Sequence, residues 1–464
     1  MTTTTGRQPM AHDLGTVGDR RQTTRSVLAG TIGTVVEYYD FTLYATATAL
    51  VFNKIFFPSV DPLVGTIAAF STFFVGYIAR PLGGIVFGHF GDKFGRKGML
   101  ILTMLLMGIG TFAIGLVPAY DSIGVWAPVL LVVLRLLQGI GIGGEYGGGV
   151  LMAIEHAAPK RRGLVGSMVH IGVPAGFLLP IAFLGVLSTS LSEADFLAWG
   201  WRVPFLASLL LVGVGLFIRF SVHESPAFEQ TRRDEGVATL PLVEVLRQHW
   251  HKVLLGIGAK VAESGLFNIY AVFAITYAVT QRGMPKAAAL DAVLIGCVLE
   301  CFTLPFFGWL SDRIGRVPVY VGGALFQAVL AFFFYGMADS GMTGLTVAIV
   351  LGLALGHGAM FGAQAAFFSE LFPARIRYSG LSLVQQIGPI LGGGLSPLVA
   401  ASLLAGHPGD TMPISLYMAA IAVLSTLCAI GLGRLRGLTA GDARAGQPRS
   451  RSGSPTSAPT IKRV

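Results

Sequence analysis

Charged residues are scarce in this chain of 464 residues. Asp, Glu, Lys and Arg together make up 12% of it, whereas a soluble globular protein has about 25%. A soluble protein of this length would lack the polar side chains needed to cover its surface, so the composition excludes that class. Cysteine is scarce as well: the three residues lie in apolar stretches, with no CxxC pair and no histidine at metal-binding spacing, which indicates neither a disulfide framework nor a zinc site.

The sequence also lacks the motifs of common enzymes. It contains no P-loop and no HExxH, and no segment between the apolar stretches is long enough for an ATPase domain. We therefore expect no catalytic residue, no metal and no cofactor. An enzyme embedded in the membrane is the alternative. It would account for buried polar groups, but not for the internal repeat described below.

Apolar residues and glycine are abundant. Hydrophobic residues make up 53% of the chain, glycine occurs 62 times, and the mean hydropathy is +0.69. Apolar stretches of about 20 residues predict membrane-spanning helices, and glycine lets such helices pack closely. The predicted spans are residues 26–50, 64–87, 98–118, 127–154, 163–188, 203–220, 252–280, 288–309, 317–337, 343–369, 379–404 and 412–433. The expected fold is an all-α integral membrane protein with twelve transmembrane helices in two six-helix bundles.

The basic residues predict how the chain is oriented in the bilayer. The formal net charge is +9, but the Lys and Arg residues concentrate in alternate connecting segments, so we expect no nucleic-acid partner. The segments of the opposite side hold only Lys54, Arg202, Arg282 and Lys286. By the positive-inside rule, both termini are then cytoplasmic. The polar start of the chain, followed by a long apolar run, predicts no cleavable signal peptide.

These features predict five segments. They are a cytoplasmic N-terminal tail (1–25), an N-terminal six-helix bundle (26–220), a cytoplasmic linker (221–251), a C-terminal six-helix bundle (252–433) and a disordered cytoplasmic tail (434–464). The last segment is rich in Arg, Ser, Pro and Gly and has no hydrophobic periodicity, which is typical of disorder.

The two predicted bundles repeat one another. Residues 88–97 read GHFGDKFGRK after the second span, and residues 308–316 read GWLSDRIGR after the eighth. Residues 35–45, VVEYYDFTLYA, are echoed by residues 261–271, VAESGLFNIYA. Halves duplicated in the same orientation predict a pseudo-two-fold axis along the membrane normal, with a substrate path between the bundles.

The repeated loops resemble the cytoplasmic signature of the major facilitator superfamily. RLLQGIG at 135–141 is similar to that superfamily's helix-4 signature, in which Arg135, Gln138 and Gly139 carry the match. Other strings resemble the metabolite:proton symporter family: EYYDF at 37–41, RPLGG at 80–84, GGEYGG at 143–148, WGWRVPF at 199–205 and ELFPARIRYSG at 370–380. ALVFNKIFFP at 49–58 most resembles its shikimate-type branch. The second loop departs from the pattern, since Val317 and Pro318 replace a basic pair.

The resemblance implies a secondary active transporter in the plasma membrane of a bacterium, which works by alternating access. It would import a small organic acid, shikimate-like or another carboxylate metabolite, by proton symport. A proline- or betaine-type osmolyte symporter is the alternative, although the C-terminal tail lacks the heptads of osmosensing members. The expected partners are the organic acid, protons and the lipid bilayer, and the chain is expected to be monomeric.

Two groups of residues in the repeated loops are candidates for gating. A glycine turn with charged residues beside helix ends suits ion pairs and helix-dipole contacts between bundles. The gating candidates are Asp92, Arg96, Lys97, Asp312 and Arg316. Direct contact with substrate is the alternative for the first three.

Charges predicted near the middle of the membrane are candidates for coupling. A charge at that depth costs roughly 2.5–3.5 kcal/mol on insertion scales, so it usually faces a cavity or a partner. The carboxylates are Glu37, Asp40, Glu145, Glu263 and Glu300, against the cations Arg80, Arg135 and Lys260. Because acids outnumber cations, we assign this acidic set to proton coupling. A buried hydrogen bond that only stabilises packing is the alternative for Glu37 and Asp40.

The substrate-binding candidates are Arg80, Tyr38, Lys260, Asn268 and Gln364. Arginine is the natural bidentate partner of a carboxylate. The repeat places Arg80 opposite Glu300, so the two side chains either pair across the bundles or each pair within their own. His170 and His357 are either interhelical hydrogen-bond donors or contacts for substrate or proton.

Overall fold

The protein is all-helical in the computed structural model. The structure describes residues 17–59, 61–94, 96–143, 150, 153–154, 157–221, 241–373 and 376–445. Within these ranges it contains no β-strand. The predicted all-α class is confirmed.

Six long helices form the first half of the chain. They are α1 Val17–Ala47, α2 Pro62–Phe94, α3 Arg96–Leu116, α4 Trp126–Gly143, α5 Arg162–Ser190 and α6 Arg202–Ser221. A π-helical turn, Thr48–Phe52, and the short helix Asn53–Phe56 extend α1. A second π-helical turn, Phe196–Gly200, lies before α6.

Six further long helices form the second half. They are α7 Trp250–Arg282, α8 Lys286–Ile314, α9 Arg316–Asp339, α10 Met342–Ser369, α11 Ser379–Gly406 and α12 Met412–Ala445. A short helix, Pro241–Gln248, precedes α7 within the predicted linker. The π-helical turns Ile269–Phe273, Leu351–His357 and Ile390–Gly394 interrupt α7, α10 and α11. Such turns often occur at functional sites.

The helices have the length and composition of membrane spans. In the part of the chain that the structure describes, nine helices qualify, and the pair Glu193–Gly200 with Arg202–Phe217, bent by 40°, makes a tenth. The shorter apolar stretch Ile101–Leu116 in α3 and the helix α1 correspond to the remaining two predicted spans.

One boundary of the sequence analysis was wrong. Residue 434 was expected to begin a disordered tail, but α12 continues to Ala445. The predicted end rested on the loss of apolar character. A helix rich in Ala, Leu and Arg keeps its backbone hydrogen bonds beyond the apolar region, since these residues have high helix propensity.

Two glycine contacts bring α2 and α4 together. A Cβ atom added to Gly143 would lie 1.9 Å from the carbonyl oxygen of Arg80, and one added to Gly83 would lie 1.9 Å from that of Ile140. Only glycine allows the two backbones to approach this closely. The contact fixes the position of Arg80 along the axis of α4.

The two halves meet along two seams. In one seam α5 packs along α8, and in the other α2 packs along α11. Ser167 of α5 contacts Gly308 of α8 closely, because a Cβ atom at Gly308 would lie 2.1 Å from the Ser167 hydroxyl. In the second seam, the ring of Tyr77 packs against Gly394 in the π-helical turn of α11. The space between the seams contains the site described next.

Candidate functional site

A polar cavity lies between the two bundles. Side chains of both halves of the chain line it. The first half contributes Glu37, Tyr38, Phe41, Tyr77, Arg80, Ile142 and Val173 to its wall. The second half contributes Lys260, Glu263, Ser264, Phe267, Asn268, His357, Phe361, Gln385, Gln386 and Pro389. Charged and aromatic groups from both bundles therefore face one cavity.

Arg80 is the cation of the first bundle in this cavity. Its guanidinium lies 4.2 Å from the ring centre of Tyr77 and 4.6 Å from that of Phe41. These cation–π contacts hold the charge without neutralising it. Arg80 also lines the cavity, and its fork of N–H donors is suited to bind an anion there.

Lys260 is the cation of the second bundle. It lies on α7 one turn before Glu263, and its Nζ is 2.5 Å from Glu263 Oε2. The other oxygen, Oε1, is 3.2 Å from His357 Nε2 on α10. The second ring nitrogen, Nδ1, contacts Glu300 Oε1 on α8. Three helices thus join one ammonium, two carboxylates and one imidazole into a continuous chain, which we call the Lys260–Glu300 network.

The network is almost completely removed from solvent. Glu300 is 0% exposed, His357 is 2% exposed and Glu263 is 3% exposed. Isolated charges at such depth cost several kcal/mol each, whereas paired and hydrogen-bonded ones are tolerated. The ring of His357 packs against Phe267 and Phe361, with ring centres 4.6 Å and 5.0 Å apart. These aromatic rings hold the imidazole in place between its two carboxylates.

Amide side chains complete the cavity wall and connect the bundles. Asn268 Nδ2 donates to the hydroxyl of Tyr77 at 3.3 Å, while its Oδ1 has no partner among the described residues. Gln386 Nε2 donates to the carbonyl oxygen of Gly143 at 3.1 Å. Both bonds cross from the second bundle to the first, so they hold the two halves together around the cavity.

Asp40 and Arg135 lie away from the cavity, in the interior of the first bundle. Both oxygens of Asp40 are buried without a hydrogen-bond partner among the described residues, and Arg135 is the charged group that acts on it electrostatically. The Arg135 guanidinium lies 4.1 Å from the ring centre of Tyr44 and 4.9 Å from that of Phe41, and donates to Gln138 at 3.2 Å. Asp40 is not among the residues that line the cavity.

On the side of the repeated loops, Asp312 and Arg316 make a contact between the two bundles. Asp312, at the end of α8, accepts backbone hydrogen bonds from Gly163 and Leu164 at the start of α5, at 2.9 and 2.8 Å. Arg316 Nη1 lies 2.5 Å from Asp312 Oδ1. The carboxylate thus sits at the N-terminus of a helix of the other bundle, where the helix dipole favours a negative charge.

On the opposite side, a weaker set of contacts joins the bundles. Glu193, in the segment before α6, lies 2.8 Å from Lys54 and 3.3 Å from Lys286 at the start of α8. The Thr276 hydroxyl donates to the carbonyl oxygen of Ala49 at 3.5 Å. The described residues therefore connect the bundles on both sides of the cavity.

Several predicted residues come together in the cavity, and others do not. Those in its wall are Arg80, Tyr38, Lys260, Asn268, Glu37 and Glu263. Gln364 lies outside the wall, fully buried, with both amide atoms unpartnered among the described residues. Glu300 also lies outside it and pairs within its own bundle, so the suggested pair with Arg80 is not formed.

Some predictions fall on residues that the structure does not describe. Glu145 lies outside the described residues, as do the side chains of Asp92, Arg96 and Lys97. The sequence analysis left His357 as either an interhelical hydrogen-bond donor or a contact for substrate or proton, and the structure places it between Glu263 and Glu300 at the centre of the site.

In the described part of the chain, twelve long helices in two halves, with a charged cavity between them, have the architecture of a membrane transporter. The sequence profile of the Major Facilitator Superfamily matches residues 30–397. The chain therefore belongs to the Major Facilitator Superfamily.

Characterised relatives cover nearly the whole chain. It is 39% identical over 409 residues to a shikimate transporter of Escherichia coli, covering 88% of this chain and 93% of that protein. It is 35% identical over 427 residues to a proline/betaine transporter of Escherichia coli, covering 89% of this chain and 84% of that protein.

A solved structure shares the fold. The xylose transporter XylE of Escherichia coli, in a partially occluded inward-open conformation, aligns with a TM-score of 0.67 at 18% identity, over 89% of this chain and 98% of that one. The fold of this superfamily comprises twelve transmembrane helices, in agreement with the sequence prediction, and the chain is a multi-pass membrane transporter and not an enzyme.

Proposed function

We propose that this transporter imports a small, shikimate-like organic acid by proton symport. The observation that carries the proposal is the pair of cations, Arg80 and Lys260, which face one cavity from opposite bundles. A carboxylate bound between them would contact both halves, as alternating access requires. The similarity to a shikimate transporter supports a hydroxylated carboxylic acid as the substrate, since Asn268 and Gln385 supply hydrogen bonds for hydroxyl groups.

Proton coupling is supported by the buried acids. Glu37 and Glu263 line the cavity, and Glu300 and Asp40 lie behind it. Buried carboxylates that exchange partners during transport are suited to binding and releasing protons. Glu145, predicted to belong to the same set, belongs to this proposal on sequence grounds alone.

The proposed transport cycle opens each side of the cavity in turn. The contacts of Asp312 and Arg316 close one side, and those of Glu193 close the other. We assign the side of Asp312 to the cytoplasm because the basic segments lie there. With this assignment, both termini lie on the cytoplasmic side of the bacterial plasma membrane. The chain is proposed to work as a monomer, since its cavity is built from one chain.

The test is uptake of labelled shikimate by a strain without endogenous organic-acid carriers, in competition with a panel of carboxylates and osmolytes. Uptake is expected to persist when ATP is depleted and to collapse with a protonophore. Competition by monocarboxylates is expected to exceed competition by citrate. Uptake that requires ATP, or that a protonophore leaves unchanged, contradicts proton symport.

An osmolyte of the proline or betaine type is the second candidate, favoured by the similarity to a proline/betaine transporter. A quaternary ammonium group needs an accessible aromatic face. In the cavity, the rings of Phe41 and Tyr77 already make cation–π contacts with the Arg80 guanidinium. The organic acid is therefore the first proposal, and stronger competition by betaine than by any carboxylate would reverse the order.

A further inference from the structure

The ion pair between Lys260 and Glu263 lies in the cavity wall itself. Both side chains line the cavity, and one helical turn separates them on α7. A substrate carboxylate that binds Lys260 must therefore compete with a carboxylate that is already there. Both competitors are carboxylates, so which of them binds Lys260 depends on whether Glu263 is ionised or protonated.

We infer that the substrate carboxylate replaces Glu263 on Lys260, and that Glu263 then holds the symported proton. This inference rests on the proposed function, because it assigns the proton and the carboxylate of that transport reaction to particular atoms. It also places the coupling step in the C-terminal bundle, on α7, and not at Asp40 on α1.

The charge balance of the Lys260–Glu300 network supports the replacement of Glu263 by the substrate carboxylate. With Lys260 charged, the two carboxylates and the imidazole need one shared proton to make the buried set neutral. A substrate carboxylate that takes Lys260 leaves the negative charge of Glu263 without its ammonium partner, even when Arg80 also contacts the substrate. An uncompensated buried charge costs several kcal/mol, and one additional proton removes it. Binding of a monocarboxylate to Lys260 is therefore favourable only together with one proton.

The geometry gives this proton a route. The proton on His357 Nε2 faces Glu263 Oε1 at 3.2 Å. Transfer breaks the N–H bond and forms an O–H bond on Glu263, and the imidazole regains a proton from solution through the cavity that it lines. The neutral Glu263 no longer competes for the ammonium group. Glu300, which does not reach the cavity wall, keeps His357 in position from the other side.

Other titratable groups surround the network from the neighbouring helices. They are Arg80 and Tyr77 on α2, His170 on α5, Cys297 and Cys301 on α8, and Tyr320 on α9. None of these described neighbours is a carboxylate. Glu37 lines the cavity from the other bundle, which makes it the alternative proton acceptor with which Glu263 is compared.

The experiment is calorimetric binding of shikimate to the full-length protein in lipid nanodiscs. Two buffers of different ionisation enthalpy give the number of protons taken up. The wild type is expected to take up one proton per shikimate, and its affinity should fall about tenfold per pH unit between about pH 6 and about pH 8. Glu263→Gln imitates the protonated acid, so it should take up no proton and bind with an affinity independent of pH. Glu37→Gln should still take up one proton.

A double variant covers the case in which Glu263→Gln leaves the lysine unpaired and fails to fold. Lys260→Met/Glu263→Gln removes both charges together, which is better tolerated than breaking a buried pair. It should bind shikimate about 10- to 100-fold more weakly, the effect of losing one charge-assisted hydrogen bond. Wild-type affinity in this variant overturns the inference.

The remaining outcomes separate the inference from the proposed function. Proton uptake that survives in Glu263→Gln but disappears in Glu37→Gln overturns the inference alone, because the proton then belongs to the first bundle. A wild type that binds shikimate without taking up a proton, or that does not bind it, overturns the proposed function and the inference with it.

Discussion

The carboxylate of Asp312 accepts a hydrogen bond of 2.9 Å from the backbone N–H of Gly163 in the other bundle. A side chain of one half thus caps a helix of the other, and Arg316 holds that side chain in place. Two halves joined in this way must break the cap before the cavity can open on that side. The bond therefore contributes to the free-energy difference between the closed and open states.

Asp312→Asn is expected to slow net uptake by about fivefold, since a carboxylate at a helix N-terminus contributes about 1 kcal/mol and that energy corresponds to such a factor. The variant should still insert and fold, because asparagine preserves the shape of the side chain. Initial uptake rates at equal protein level in the membrane test this. The comparison is Asp92→Asn, at the equivalent residue of the first loop. Asp92 is a gating candidate on sequence grounds, so this variant is also expected to slow uptake. Parental rates in both variants would show that the loops serve packing only.

Arg80→Lys is expected to raise the apparent KM for the substrate by at least about tenfold despite the retained charge. Lysine cannot form the bidentate contact of a guanidinium with a carboxylate, and it stacks less well on Phe41 and Tyr77. The measurement is the concentration dependence of uptake, with the membrane level checked by immunoblot. An unchanged KM would remove Arg80 from the substrate site.

Asp40→Asn tests the first bundle as an alternative location for the coupling proton. The sequence predicts that this variant loses accumulation against a gradient while it keeps exchange of preloaded substrate, because exchange needs no net proton release. The structure adds that substrate affinity should stay close to the parental value, since Asp40 does not line the cavity. Accumulation and exchange should be compared at about pH 6 and about pH 8. Parental accumulation would exclude Asp40 as the coupling acid.

Gly143→Ala is expected to lower the amount of folded protein in the membrane. Its new methyl group would lie 1.9 Å from the Arg80 carbonyl oxygen, and the resulting separation of α2 from α4 costs about 1–3 kcal/mol. Gly213→Ala on α6 is the matched control, because nothing lies within 4 Å of its added Cβ. Thermal stability in detergent, followed by size-exclusion chromatography, compares the two. Equal stability would show that α2 and α4 can separate without cost.

The spans were predictable from sequence because the thickness of the hydrocarbon layer fixes their length. The pairing of Lys260 with Glu263 also follows from sequence, since residues three apart share one face of a helix. The partner of Glu300 does not follow from the sequence. The repeat relates Glu300 to Arg80 by depth alone, whereas the actual partner, His357, depends on how closely α8 and α10 approach, and this is a property of tertiary packing.

The composition of the cavity wall could also be predicted only in part from the sequence. Arg80 was recognisable as a buried cation, but its aromatic contacts bring together residues of α1 and α2. The exclusion of Gln364 from the wall likewise depends on the rotation of α10, where a π-helical turn, Leu351–His357, shifts the helical register. Sequence periodicity assumes a regular helix and cannot detect that shift.

The Lys260–Glu300 network contains as many basic as acidic groups. A monocarboxylate carried with one proton leaves that balance unchanged, so its passage moves no net charge across the bilayer. The membrane potential, which supplies about 2.3 kcal/mol per elementary charge at 100 mV, then does no work on the substrate. If one proton accompanies each monocarboxylate, as proposed, accumulation is set by the acidity of the medium relative to the cytoplasm, and a cell in alkaline surroundings gains nothing from this carrier however strongly its membrane is polarised.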